Sequence, residues 1–404
     1  MSQVGAARTE RSGVDRPAAI AAASYLIALN ALIINVQPLI LGALAKGYAL
    51  GDRQLGYVSA VFVGFNTLAT VSGPLWVRRV DWRLLSWVAL GGATACLAAG
   101  GYFSQLASVL FLFALIGAFK GAVFIPSFAS LGDTSNPDRS YAVSTVLQGV
   151  SAAAVAAPLS AWIIPNFGVH GLFLTLAAVM STGLVAICWL PRAGDVQRKE
   201  RTGQVGAKVL SGAAIAPAIG LLALGCFGGG AAAFWYFVER IGADRGVAPA
   251  LIGMTLSLTA LASIVTAAIV AWIGGRLPSL AIAVGGVCVM LFGFASLHLS
   301  RDIGFVAANL LFSLGWGLST PGFWAVLAKI DATTRLFVVA PAASGLAAVI
   351  VGLVAGAVIE AGSYAGLIGF SSTLLMVSAL LIVAASLVFG RLPISPKAAP
   401  ANVR

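Results

Sequence analysis

Lys120 is the residue whose type and position point most directly to chemistry. It is the single charged residue between Arg83 and Asp133, in a segment that is otherwise apolar or neutral. An ammonium group in apolar surroundings is unfavourable unless it has a partner. No acidic residue of that segment supplies one, so the carboxylate or phosphate of a ligand would complete the charge. The alternative is a structural lysine that reaches the polar end of its helix, or that carbonyls and Asn or Gln side chains satisfy.

Two amides near the start of the chain form a second candidate group. Asn30 and Gln37 are seven residues apart, which puts both on one helix face, within about 20° of each other. Pro38 has no N–H and therefore leaves a backbone carbonyl one turn earlier without its helical partner. These groups predict a polar stripe that faces a cavity and contacts a ligand. Hydrogen bonding between neighbouring helices is the alternative.

Composition defines the elements that must position these residues. The 404 residues are 60% hydrophobic and only 9% charged, whereas a soluble domain is about 25% charged. The chain is therefore a membrane protein and not a cytosolic enzyme. Its net charge of +11 comes from basic residues that lie between apolar runs, which does not indicate nucleic-acid binding. The four cysteines lie in apolar segments without CxxC spacing, so neither a disulfide framework nor a metal site is expected.

The uncharged gaps between ionisable residues predict the number of membrane crossings, because a crossing helix needs about 20 apolar residues. Eight gaps have the length of one span and two have the length of two, with breaks expected near Gly101–Gln105 and Asn166–Gly171. The fold class is thus an all-α polytopic membrane protein with twelve transmembrane helices. The predicted parts are a tail (1–16), a six-helix half (17–190), a central loop (191–208), a second six-helix half (209–390) and a second tail (391–404).

Basic residues predict the orientation. Eighteen of the 24 lysines and arginines fall on the face that carries both termini and the central loop, five fall on the other face, and Lys120 falls on neither. Cytoplasmic loops carry such an excess, so we expect both termini in the cytoplasm. The first apolar run has full span length and indicates no cleavable signal peptide. A bacterial cytoplasmic (inner) membrane is the expected location.

Aromatic residues mark two further spans. Trp235 and Tyr236 follow the run Gly228–Gly230, and Trp316 and Trp324 flank a proline. Consecutive glycines weaken a helix by about 1 kcal/mol each, so we expect a hinge or a broken helix at Gly228–Gly230. The aromatic side chains are candidates for the wall of a ligand site. For Trp235 and Tyr236, a belt at the membrane interface is the alternative.

The loop after span 2 resembles a family motif. Residues 73–83 resemble the G-x-x-x-D-R-x-G-R-R loop of the major facilitator superfamily, in which Gly73 and Arg78 match while Val77 and Val80 depart. Span 4 and the loop after it also resemble that family, and the likeness extends over the whole chain. The gating-loop residues that the resemblance implies are Gly73, Arg78, Arg83, Asp138 and Arg139.

The resemblance implies two parallel six-helix halves around a central cavity lined by spans 1, 4, 7 and 10. Residues 29–38 are similar to a first-span motif of drug-efflux members, with Asn30 in place of its aspartate. One substrate site would then combine residues from these four spans: Asn30, Gln37, Lys120, Trp235, Tyr236, Trp316 and Trp324.

These features predict a secondary transporter, a symporter or an antiporter, that moves a small organic anion such as an aromatic carboxylate by alternating access. Efflux of hydrophobic or drug-like compounds is one alternative, and a non-transporting membrane sensor or assembly protein on the same fold is another. Glu239 and Glu360 are the candidates for proton coupling. We expect no enzyme activity, catalytic residue, cofactor or metal. The expected partners are a small-molecule substrate and the lipid bilayer, with no nucleic acid, and the chain is expected to be a monomer.

Overall fold

The computed structural model describes residues 13–135, 137–193, 215–273, 276–330 and 340–391. In that part of the chain every regular element is helical, with short helical turns at Gly13–Asp15 and Val77–Arg79 and a π-helix at Leu159–Ile163. The α-helices are α1 (Pro17–Asn35), α2 (Gln37–Gly47), α3 (Asp52–Trp76), α4 (Trp82–Gly100), α5 (Leu106–Gly132), α6 (Pro137–Pro158), α7 (Ile164–Ile187), α8 (Ile215–Asp244), α9 (Pro249–Ile273), α10 (Ser279–Ser296), α11 (Arg301–Ile330) and α12 (Ala340–Arg391).

Helix lengths confirm an all-α polytopic membrane protein. Within the described residues, nine helical stretches are long and apolar enough to cross a membrane, and two of them, Val143–Ile187 and Ala342–Phe389, are 45 and 48 residues long. Each long stretch turns at a residue with positive φ, Gly168 (φ 58°) and Ser363 (φ 72°), so each supplies two crossings. Together with the shorter apolar helix Pro249–Ala262, these lengths are consistent with twelve crossings.

The first crossing is made of two helices. Residue Val36 leaves the helical conformation (φ −97°, ψ 5°), so α1 ends at Asn35 and α2 begins at Gln37. The proline that follows supplies no N–H to the helix. Asn30 and Gln37 are both buried, on either side of this break.

The expectation of a broken helix at Gly228–Gly230 is wrong. Helix α8 continues through these glycines from Ile215 to Asp244. Their missing side chains admit α12, since the Ser371 hydroxyl donates a hydrogen bond to the Gly230 carbonyl at 2.6 Å and Ser344 lies against Gly228. Close packing of small residues stabilises helix pairs in membranes and here outweighs the low helix propensity of glycine.

The helices form two packed groups. Helices α1 to α7 pack against one another, and α8 to α12 form the second group. We call these the N half and the C half. Within the described residues, the main contacts between the halves are those of α2 with α8, of α3 with α12, and of α6 and the π-helix with α9. The predicted central loop lies outside the described residues from residue 194 to residue 208.

Glycines set the closest helix crossings in both halves. In the N half, a Cβ at Gly117 would lie 3.2 Å from the amide nitrogen of Asn66 on α3. In the C half, Gly286 on α10 faces Gly315 on α11, and a Cβ at Gly286 would lie 2.6 Å from the Gly315 carbonyl oxygen. Neither backbone group can move away without disturbing its helix.

Replacement of Gly286 by alanine tests the α10–α11 crossing. We expect Gly286→Ala to lower the free energy of unfolding by about 1–3 kcal/mol, because the added methyl group has no space. Gly285→Ala is the matched control, since a Cβ at that neighbouring position would meet nothing within 4 Å. Thermal unfolding of the purified proteins in detergent measures both. Equal melting temperatures for the two variants would contradict the close crossing.

Candidate functional site

A central cavity of about 460 Å³ lies between the two halves, which is the size of a small-molecule site. Helices α1, α2, α3 and α6 line it from the N half, and α8, α9, α11 and α12 line it from the C half. None of the described residues that line it is an Asp, Glu, Lys, Arg or His. The resemblance implied a lining by span 4, which is α5, yet the described lining takes its residues from α6 instead.

The N-half wall of the cavity carries hydroxyl and amide groups. Asn35 and Gln37 stand on either side of the break at residue 36, and Thr145 and Gln148 lie three residues apart on one face of α6. The Gln37 side chain is 2% exposed, and its Oε1 accepts no hydrogen bond from the described part of the chain. Gln148 donates only a long hydrogen bond of 3.4 Å within that part, to the Ser144 hydroxyl. Both amides can therefore form further hydrogen bonds to a ligand.

The C-half wall is aromatic. The Trp235 ring is parallel to the Phe312 ring, with an interplanar angle of 7° and a centroid distance of 6.2 Å. The Trp316 ring stacks on Phe227 at 4.9 Å and 12°. Offset stacking of this kind fixes ring orientation. Each indole that lines the cavity therefore has one face supported by a phenyl ring.

Trp235 also joins the halves. Its Nε1 donates a hydrogen bond of 3.0 Å to the carbonyl oxygen of Ile34. In a regular helix that carbonyl would accept from the residue four positions later, which is Pro38 and has no N–H. The sequence predicted the freed carbonyl, and the structure shows that an indole from the opposite half satisfies it.

Lys120 lies beside the cavity wall and not in it. Its Nζ donates to the Asn30 carbonyl oxygen, and the Asn30 amide donates in return to the Lys120 carbonyl at 2.8 Å. The ammonium also lies 5.3 Å from the centre of the Phe62 ring, a favourable cation–π contact. Asn30 is one turn before Ile34, about 6 Å along the axis. The pair ties α1 to α5.

The structure thus brings some of the predicted substrate residues together and separates others. Gln37, Trp235, Tyr236 and Trp316 line the cavity. Asn30 and Lys120 bond to each other, and Trp324 packs against the core. The sequence prediction missed the polar lining residues of α6, α9, α11 and α12: Thr145, Gln148, Thr259, Ser313 and Ser344. The spacing of Thr145 and Gln148 on one helix face was a signal for them.

Ion pairs close one end of the bundle. We call the end where α2 meets α3 the clamp end, and the opposite end, where α1 begins and α12 ends, the tail end. Among the described residues, three ion pairs cross between the halves at the clamp end, and the Tyr364 hydroxyl donates to the Asp52 carboxylate at 3.1 Å. The three pairs are Lys46–Glu239 at 3.0 Å, Asp52–Arg240 at 3.2 Å and Arg53–Glu360 at 2.7 Å.

Glu239 is the most deeply buried of these acids. Its side chain is 8% exposed, and its Oε2 has no hydrogen-bond partner in the described part of the chain. The carboxylate packs directly on Gly42, where a Cβ would overlap it. Both predicted coupling acids, Glu239 and Glu360, are therefore members of ion pairs between the halves. Their role in proton coupling stays a prediction.

The predicted gating-loop residues make contacts within the N half. Arg78 forms two hydrogen bonds to the Asp133 carboxylate, at 2.7 and 3.0 Å. Arg83 donates to the Leu190 carbonyl oxygen, and Gly73 packs on Ile125 of α5. The loop between α3 and α4 is thereby fixed to the tail-end termini of α5 and α7. The side chains of Asp138 and Arg139 lie outside the described residues.

Two helical halves around a central, partly polar cavity define a membrane transporter. The sequence supports this class independently, since the model of the Major Facilitator Superfamily matches residues 23–335. The chain belongs to that superfamily. No curated protein matches the sequence significantly.

Solved structures show the same fold. The nucleoside transporter NupG, as a point mutant, is similar with a TM-score of 0.70 and 11% identity, over 92% of this chain and 98% of that one. A POT family transporter in complex with 5-aminolevulinic acid is similar with a TM-score of 0.69 and 13% identity, over 91% of this chain and 96% of that one. At these identities the likeness establishes the fold alone.

Loss of the Arg78 side chain tests the contact of the gating loop. We expect Arg78→Ala to lower the free energy of unfolding by about 1–3 kcal/mol, because the Asp133 carboxylate, 4% exposed, loses its charged donor. Arg78→Lys keeps the charge but not the two-pronged geometry, so its loss should be intermediate. Arg79→Ala, at the exposed neighbouring position, is the control. Chemical unfolding of the wild type and the three variants measures these changes. Equal free energies of unfolding for Arg78→Ala and Arg79→Ala would contradict a stabilising role of the Arg78–Asp133 contact.

Proposed function

We propose that this transporter carries a small, uncharged organic compound through the central cavity by alternating access of its two halves. The observation that supports this is the lining, in which the described residues offer amides, hydroxyls and indoles but no charged side chain. A charged substrate in such surroundings would lack a counter-charge. Nucleosides, which the name of one structural relative includes, are uncharged compounds of suitable size.

An organic anion is the second candidate substrate, and one observation favours it. The Lys120 ammonium is 2% exposed and has a backbone carbonyl and an aromatic ring as its partners in the described residues, but no carboxylate. In this hypothesis the bond to the Asn30 carbonyl breaks and the ammonium turns toward the cavity, about one helical turn away. Either substrate is compatible with uptake and with efflux.

The excess of basic residues at the tail end supports a cytoplasmic location for that end. The clamp end would then face the outside, and the cavity would be closed from that side. The expected monomer stays a prediction from the sequence. A bacterial inner membrane stays a prediction from the sequence.

Thermal stabilisation by ligands separates the two substrate classes. We expect uncharged compounds such as adenosine to stabilise the wild type and Lys120→Met equally, by about 2.7 kcal/mol at 100 times the dissociation constant. Lys329→Met, at an exposed lysine of the tail end, controls for general loss of charge. If benzoate stabilises the wild type and Lys329→Met but not Lys120→Met, the proposal of an uncharged substrate is contradicted and the organic anion is favoured.

Flux in proteoliposomes then separates transport from sensing. The compound that stabilises the protein should accumulate in vesicles that contain it and not in protein-free vesicles. Binding without flux under imposed gradients of protons and of the compound itself would favour the sensor hypothesis.

A further inference from the structure

We infer that the substrate of the proposed function has two chemically different sides: a flat ring that stacks on the C-half wall, and a hydrogen-bonding edge that faces the N-half amides. Trp316 and Gln148 would be the residues that select it. This inference rests on the proposed function and names the chemical class of compound within it.

The Trp316 indole has one face open to the cavity. This indole is 39% exposed although it lies in the middle of α11, and it lines the cavity. Phe227 covers one face of the ring at 4.9 Å. The uncovered surface is therefore a rigid apolar platform, and planar rings stack on such platforms with little dependence on their substituents.

The amides of the opposite wall have hydrogen-bonding groups that the described residues leave unused. Gln148 is half-buried and makes one long hydrogen bond through its Nε2 within the described residues, so its amide oxygen and second N–H are available to a ligand. Gln37, which also lines the cavity, has a buried carbonyl oxygen that accepts from no donor among the described residues. Substrate N–H or O–H groups would supply donors, and ring carbonyls or ring nitrogens would accept from the amides.

The placement of the two walls explains why both are needed. The platform belongs to the C half and the amides belong to the N half. A compound with both features contacts the two halves at once, whereas a ring without an edge or an edge without a ring binds only one of them. The cavity is therefore expected to bind planar heterocycles that carry amide, amine or hydroxyl groups most tightly.

Four uncharged probes test this division of contacts: adenosine and uridine, which have ring and edge; caffeine, a planar ring system without N–H donors; and glucose, an edge without an aromatic ring. We expect a nucleoside to bind most tightly, caffeine more weakly, and glucose not at all. Trp316→Leu should weaken nucleoside binding by about tenfold. Gln148→Leu should weaken nucleoside binding more than caffeine binding, because caffeine has ring carbonyls that accept from the amide N–H but no donor for the amide oxygen. Titration calorimetry measures each dissociation constant.

Trp324→Leu is the matched control, because Trp324 lies on the same helix but packs against the core. Equal nucleoside affinity in wild type and Trp316→Leu would overturn the inference, as would glucose binding as tight as that of a nucleoside. If none of the four probes binds while another uncharged compound stabilises the protein, the division of contacts fails but the proposed function stands. Stabilisation by anions alone would overturn both.

Discussion

Attraction between opposite charges at one end of the bundle is the constraint on which the remaining arrangement depends. Charges at the end of a membrane helix lie close to water, where a pair forms without the full cost of removal from water. Three such pairs draw α2 and α3 of the N half toward α8 and α12 of the C half. Because the halves meet there, the space between them farther along the bundle remains as a cavity, and Trp235 can reach the Ile34 carbonyl.

The same physics explains why the cavity wall carries so little charge. At the middle of a bilayer an isolated charge costs about 2.5–3.5 kcal/mol on insertion scales, so most ionisable residues of the described chain lie toward helix ends. Lys120 is the exception, and its surroundings show how it is tolerated. The neighbouring helix supplies a carbonyl, Asn30 returns a hydrogen bond to the backbone of α5, and Phe62 supplies a ring face. The cavity is left with neutral polar groups.

Much of the fold followed from the sequence because a bilayer imposes a minimum helix length. Gaps between charges gave the crossings, and the turn at Gly168 falls inside the predicted break. Partners were harder to predict. Lys46 and Glu239 are 193 positions apart, and the acceptor for Lys120 is a backbone carbonyl, which has no sequence signature. The continuity of α8 depends on how α12 packs over its glycines, so propensity alone gave the wrong answer there. Gln148 was not predicted because the family resemblance implies a lining by span 4 and not by span 5.

The first crossing, α1 and α2, connects the cavity to the clamp end. Along it, the Ile34 carbonyl accepts from Trp235, Gln37 lines the cavity, and Lys46 pairs with Glu239, which sits on the glycine one turn before that lysine. Trp235 and Glu239 are four residues apart on α8, so both face this crossing. A compound that displaces Trp235 or engages Gln37 therefore acts on the same two helices that carry the buried ion pair. Binding energy that differs between the closed and open arrangements must then shift their balance, and closure must change affinity by the same factor. The break at Val36 divides the crossing into α1, bonded to Lys120 through Asn30, and α2, paired with Glu239 through Lys46, so a ligand at Gln37 contacts the segment that carries the ion pair.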